Sequence, residues 1–232
     1  MQADNTAIIK FIESHVGKWS LALPEKEGQA IVRAPVITLC MEPGSHGCQV
    51  AQAVADQLGF GLYNRDIIKA IAKSMKIGSD RIAMLEKERL SGIEDFIACL
   101  IEEKYCHNDI YMEHLVKVVR VIAARGNAVI VGRGANFILP FENRFAARII
   151  APAEIRVTNI MRAFGAEAEN ARQRITRREA RRRAFIRQAF NKDIRNPSHY
   201  DITLNTARLS VPAAATAIVT AAVSSKNAPG VA

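Results

Sequence analysis

Three segments of this chain carry residues whose types and spacing suit the handling of phosphate groups. The first is Glu42-Pro43-Gly44-Ser45-His46-Gly47, followed by Cys48 and Gln49. Two glycines let a backbone wrap closely around an anion, and a helix starting there would aim unpaired N–H groups at it. The same glycines also suit an ordinary tight turn. The second is Gly132-Arg133-Gly134-Ala135. A guanidinium at the end of a strand can grip a phosphate with two parallel hydrogen bonds, although a solvated loop arginine looks the same in sequence. The third runs from Arg172 to Arg187 and holds eight arginines and one acid, Glu179. Arg174, Arg178 and Arg182 recur there at four-residue spacing, with Arg181 beside them, so a helix would stack them on one face. Like charges this close repel, and a polyanion relieves them; a solvated face partly neutralised by Glu179 is the plainer alternative.

The strict phosphate-loop pattern, G-x-x-x-x-G-K-[ST], is not met. We read Cys48 where its lysine would stand and Val50 where its Mg²⁺-holding hydroxyl residue would stand. Backbone donors can still hold a phosphate in such a loop, and His46 or an arginine from the third segment could supply the missing cation. The four cysteines, Cys40, Cys48, Cys99 and Cys106, form no C-x-x-C pair and no zinc-like spacing with histidine. Cys106-His107 with His114 reads as an ordinary helix face. We therefore expect reduced thiols, a cytoplasmic setting and no metal held by cysteine or histidine. Cys48 at a helix start could have a lowered pKa.

The elements that must position these groups follow from hydrophobic pattern. Short runs rich in β-branched and apolar residues predict strands at 34–40, 60–64, 128–132, 144–151 and 201–205. Helical periodicity predicts a first helix opened by Cys48 and Gln49, with Val50, Ala51, Val54, Ala55 and Leu58 on one face and Gly59 closing it, then helices over 65–76, 79–90, 92–105, 108–125, 152–164 and 168–190, and a last one capped by Ser210. Strands apolar on both faces with helices between them imply a parallel sheet covered on both sides. In such a sheet a ligand binds at the carboxyl ends of the strands. The first two segments belong at that end. Phe185 and Ile186 give the arginine helix a modest apolar anchor, which suits a lid that moves.

Composition narrows the rest. The 232 residues are 49% hydrophobic and 24% charged, which is globular. The net charge is +9, and the arginine segment alone contributes +7 of it. The body is therefore nearly neutral, which argues against a protein that coats nucleic acid; RNA binding through the arginine helix would also find few aromatics to stack on bases. We expect no membrane span, because the apolar runs are short or broken by charge. The first residues, MQADNTAIIKFIESH, have the spacing of an amphipathic helix rather than of a signal peptide. We place an N-terminal helix and linker at 1–34, one domain at 35–224 with a lid at about 165–195, and a flexible tail at 225–232.

Taken in order, VITLCMEPGSHGCQVAQAVADQLGFGLYNRDII, AVIVGRGANFIL and RREARRRAFIRQAFNKDIRNPSHYDITLNTARLS resemble the cytidylate-kinase-like family of P-loop nucleoside monophosphate kinases. The resemblance runs from Val36 to Val223. It implies an α/β three-layer sandwich, a parallel sheet of about five strands and an arginine-bearing helical lid. It also implies transfer of a phosphoryl group from ATP, with Mg²⁺, to a nucleoside monophosphate such as CMP. Gly44, Ser45, His46, Gly47, Cys48 and Gln49 match the family's nucleotide-binding loop, where close relatives read G-S-G-G-R-E. Arg133 matches the arginine of the family's G-R-D turn, which attends the acceptor phosphate; the family's Asp is Gly134 here. Arg65 and Asp66, in Tyr63-Asn64-Arg65-Asp66, match a stretch near the acceptor. Glu179 and Arg182 match the lid's D-x-x-R with Glu for Asp, and Arg178 is a further candidate for the phosphates in flight. The absence of a loop cation at Cys48 keeps a second function open, a nucleotide-binding or sensing module without kinase activity.

Overall fold

A computed structural model of the chain describes residues 36–64 and 109–225. The chain divides into two compact units, Met1–Arg33 with Arg65–Val121, and Ala34–Asn64 with Ile122–Ala232. The second holds the whole sheet. The helices expected at 1–34, 65–76, 79–90 and 92–105 lie outside the described residues, as does the segment 226–232.

Five strands appear where the apolar runs predict them: β1 Val36–Met41, β2 Gly61–Tyr63, β3 Ala128–Val131, β4 Arg144–Ile150 and β5 Ile202–Asn205. They form one parallel sheet in the order β2-β3-β1-β4-β5. β1 sits at the centre, with Ile37 opposite Val129 on one side and Phe145 on the other. The helices are α1 Gly47–Leu58, α2 Asp109–Arg125, α3 Ala135–Ile138, α4 Ala153–Phe164, α5 Ala168–Phe190 and α6 Val211–Ser225. α3 is a short turn absent from the sequence expectations.

One face of the sheet is closed by α1 and α6. Val50, Ala51, Val54 and Ala55 of α1 meet Ala214, Ala215, Ile218 and Ala222 of α6 over Ile37, Leu39, Phe145, Ala147 and Ile149. Alanines on both helices keep the two axes near the sheet. Gly59 ends α1 in the left-handed region, φ +65°, and returns its N–H to the last turn, as a helix C-cap glycine does.

α4 and α5 form a helical hairpin that turns at Gly165. Val157 and Ile160 of α4 bury against Ala171 and Ile175 of α5. At its far end α5 buries Phe185 and Ile186, and Phe190 stacks on Phe137 of α3 at 5.4 Å. The arginine helix is thus held apolarly along its length, more than the two anchors read from sequence.

Candidate nucleotide site

The loop between β1 and α1 is built by its own backbone and fastened from every side. The Glu42 N–H donates to the Ile149 carbonyl at 2.9 Å, keeping the chain in step with β4. Ser45 is fully buried. Its N–H donates to the Glu42 carbonyl at 3.2 Å, and its hydroxyl donates to the same carbonyl at 2.8 Å and to the Ile149 carbonyl at 3.3 Å. Ser45 therefore shapes the loop from within. Thr206, just past β5, donates its hydroxyl to the Ser45 carbonyl at 2.9 Å. Asn159 of α4 donates to the Gly44 carbonyl at 2.8 Å.

Gly44 takes φ +82°, and a Cβ there would lie 2.6 Å from the backbone oxygen of Arg156. No side chain fits: the loop and α4 touch backbone to backbone. His46 is the N-cap of α1, left-handed at φ +57°, and makes no side-chain cap. Its Nδ1 instead lies 2.6 Å from Gln49 Oε1, a bond in which the imidazole donates. The first helical bond runs from the Val50 N–H to the His46 carbonyl at 3.0 Å. The N–H groups of Gly47, Cys48 and Gln49 precede it and have no helical acceptor, and the helix dipole adds partial positive charge there. This is the local geometry that receives phosphate.

One sequence reading needs correction. Counted from Gly47, the lysine place of the pattern is Cys48 and the hydroxyl place is Gln49, not Val50. Val50 is fully buried in the core beneath α1 and faces no ligand. Cys48 is exposed, with its Sγ 3.6 Å from Met41 Sδ.

An ion-pair chain that the sequence did not reveal links this loop to the arginine helix. Glu42 Oε1 lies 3.3 Å from Arg148 Nη2 and Glu42 Oε2 lies 3.5 Å from Arg156 Nε. The Ala151 N–H donates to the same carboxylate at 3.3 Å. Arg156 donates from Nε to the Ala151 carbonyl at 2.9 Å and from Nη1 to Glu179 Oε1 of α5 at 2.5 Å. One helical turn on from Glu179, Arg182 donates from Nη1 to the Met41 carbonyl at 2.5 Å, at the foot of the loop. Arg148 also donates to the Ile194 carbonyl and to the Tyr200 hydroxyl, and its guanidinium lies 5.4 Å over the Tyr200 ring. Burial would lower the Arg148 pKa, but Cys40, Tyr200 and Glu42 together hold it raised. Burial pushes the Tyr200 hydroxyl above its ordinary range.

The other arginines of α5 divide by depth. Arg178, like Arg182, is half-buried, while Arg174 is exposed and lies 4.1 Å over the ring of Phe164. The single face read from the four-residue spacing is therefore split. Across the sheet, Gly132, Arg133 and Gly134 follow β3 with φ values of +72°, +58° and +69°. A left-handed arginine between two left-handed glycines is strained backbone. Arg133 thus belongs to a tightly formed turn. Arg65 and Asp66 lie outside the described residues, and so do Cys99, Cys106 and His107. Of the residues the sequence missed, Arg148 left a sign, a charge inside an otherwise apolar strand. Glu42 left another, an acid where the strict pattern has its first glycine. Arg156 and Asn159 left none, because their partners are remote in sequence.

A five-stranded parallel sheet with a glycine loop opening a helix beside its central strand, and an arginine helix reaching that loop, is the P-loop kinase-like class. The model of the cytidylate kinase-like family matches residues 36–208, and the chain belongs to that family. Its members are kinase-like nucleotide-binding proteins. Among solved structures, an uncharacterized protein from Eubacterium ventriosum is 20% identical, with a TM-score of 0.64 over 82% of this chain and 99% of that one. Shikimate kinase from Acinetobacter baumannii, solved with shikimate, is 17% identical, with a TM-score of 0.47 over 83% and 95%. A gluconokinase from Sinorhizobium meliloti is 14% identical, with a TM-score of 0.44 over 82% and 90%. The fold comparison rests on the first of these. No curated protein matches the sequence. Among the described residues no helix is long and apolar enough to cross a membrane.

Proposed function

We propose that this protein transfers a phosphoryl group from ATP to a nucleoside monophosphate such as CMP. The observation that carries the reading is a convergence: the N–H groups of Gly47, Cys48 and Gln49, which precede the first helical bond, open on the same loop whose foot is held by Arg182. In this reading the backbone from Gly44 to Gln49 holds the ATP phosphates, and Arg133 with Arg65 and Asp66 holds the acceptor. Arg182 has five N–H donors and spends one on the Met41 carbonyl, so a fixed fork remains for a phosphate. With Arg178 it stabilises the charge of the group in transfer, the part a loop lysine plays elsewhere. The acceptor oxygen already belongs to a phosphate, so no general base is needed.

When bound with ATP, Mg²⁺ neutralises charge between the phosphate oxygens. The described residues do not fit it as protein ligands. Gln49 stands at the hydroxyl place with its Oε1 engaged by His46. No step here is routed through the ion.

The test is calorimetric titration with ATP and with CMP, dCMP and UMP, followed by a coupled assay of ATP consumption. Arg182→Ala lowers turnover by about 10³-fold or more while nucleotide affinity changes far less. Unchanged turnover in that variant removes Arg182 from the chemistry. One observation favours a second reading, a nucleotide-sensing module: Cys48 leaves α1 without its cation. Binding of ATP without turnover, and no gain on introducing Cys48→Lys, would decide for it.

A further inference from the structure

Asn136, the second residue of α3, is 7% exposed, and its Nδ2 amide has no hydrogen-bond partner among the described residues. A buried amide left unpaired is costly, and folded proteins keep few of them. The backbone around it is well provided for. The Ala135 N–H donates to the Gly132 carbonyl at 3.1 Å, and those of Phe137 and Ile138 donate to the Gly134 carbonyl at 2.8 and 3.1 Å. The orphan is therefore a single side-chain group in a turn that otherwise closes on itself. That turn is the one bearing Arg133.

Two positions earlier, Gly134 stands where the resembled kinases carry Asp, and no side chain fits there. A Cβ on Gly134 would lie 2.5 Å from the Phe190 ring and 3.2 Å from Ile186. The apolar end of α5 has filled that space. Polar recognition by residue 134 is closed, while an unspent donor waits at 136.

We propose that Asn136 is a further acceptor-binding residue, its Nδ2 amide donating to an oxygen of the monophosphate that Arg133 holds. The proposal rests on the acceptor reading given under Proposed function. It predicts that stability and binding move in opposite directions, because the group is a burden to the empty fold and an asset to the complex.

The experiment uses the full chain with Asn136→Leu, which keeps the branched shape without the amide, and Asn136→Ala, which adds no bulk. Calorimetry measures CMP and ATP binding separately, and a thermal scan without nucleotide measures stability. Both variants are expected to weaken CMP binding by about tenfold. ATP affinity stays within a factor of two, and Asn136→Leu melts at or above the wild-type temperature. Wild-type-like CMP binding in both variants overturns this proposal alone. So does a melting temperature lowered in both variants together with equal losses for CMP and ATP, since the amide would then be structural. A wild-type chain that binds ATP but none of CMP, dCMP and UMP overturns the acceptor reading, and this proposal falls with it.

Discussion

Gly44→Ala isolates the contact between the phosphate loop and α4. An alanine at φ +82° carries the cost of a left-handed L-residue, about 1–2 kcal/mol. Its Cβ would also meet the Arg156 carbonyl oxygen at 2.6 Å and Arg156 Cα at 3.0 Å. Backbone atoms cannot swing aside as a side chain can, so α4 or the loop must shift. Overpacking of this kind costs a further ~1–3 kcal/mol. The expected loss is about 2–5 kcal/mol, a large part of an ordinary domain's stability. Gly59→Ala is the matched control. Gly59 is also left-handed, at φ +65°, but nothing lies within 4 Å of where its Cβ would be. It should lose only the conformational part, about 1–2 kcal/mol. Urea unfolding of the two variants beside the wild type, with the slope checked for constancy, measures the difference. If Gly44→Ala is no less stable than Gly59→Ala, the Arg156 backbone does not abut the loop. The structural route from arginine helix to phosphate loop then fails at its first contact.

Other consequences are smaller in scope. Arg156→Met removes the cation that Glu42 and Glu179 share, leaving Glu179 without that partner and Glu42 with Arg148. A loss of about 3 kcal/mol in urea unfolding is expected, with part of it recovered when Glu179→Gln is added. Tyr200 is pushed above its ordinary pKa first by burial and also by Cys40, so its neutral form is favoured in the fold. The stability this provides is complete below the unfolded tyrosine pKa of about 10 and is lost as pH rises beyond it. Tyr200→Phe should therefore flatten the decline in melting temperature above that pH, relative to its own value at neutral pH.

The two central strands β1 and β3 were legible because each is a short run of apolar, mostly β-branched residues, and burial on both faces of a parallel sheet leaves no other place for such a run. Val36–Met41 and Ala128–Val131 show this plainly. The long arginine helix was legible too, since its periodicity runs unbroken over 168–190; in the structure left-handed Gly165 and Asn191 bound it. Its division into inner and outer arginines was not. Spacing places Arg174 with Arg178 and Arg182, but only tertiary structure shows that Phe164 draws Arg174 outward. The phosphate loop was recognisable by its glycines, yet the reason for Gly44 lies elsewhere in the chain, at Arg156, just as the reason for Gly134 in the turn after β3 lies at Phe190. Glu42 illustrates the same limit. An acid at the end of a strand reads as solvated until Arg148 and Arg156, more than a hundred residues away, are brought to it.

This arrangement gives a physical account of a phosphate loop without its lysine. Around the loop, the guanidiniums of Arg148 and Arg156 meet the carboxylates of Glu42 and Glu179. Arg148 and Arg156 are committed to Glu42 and are nearly buried. Arg182 instead donates to a neutral carbonyl at the loop's foot. A carbonyl orients a guanidinium without neutralising it. In the proposed reaction the positive charge thus comes from α5 rather than α1, so its distance from the phosphates depends on how the helical hairpin sits on the loop. A cation carried by the loop itself would be present at any hairpin position. One carried by α5 makes catalysis conditional on the Gly44–Arg156 and Arg156–Glu179 contacts. Substitutions at Arg156 should then depress turnover more than ATP binding, although Arg156 need touch no nucleotide.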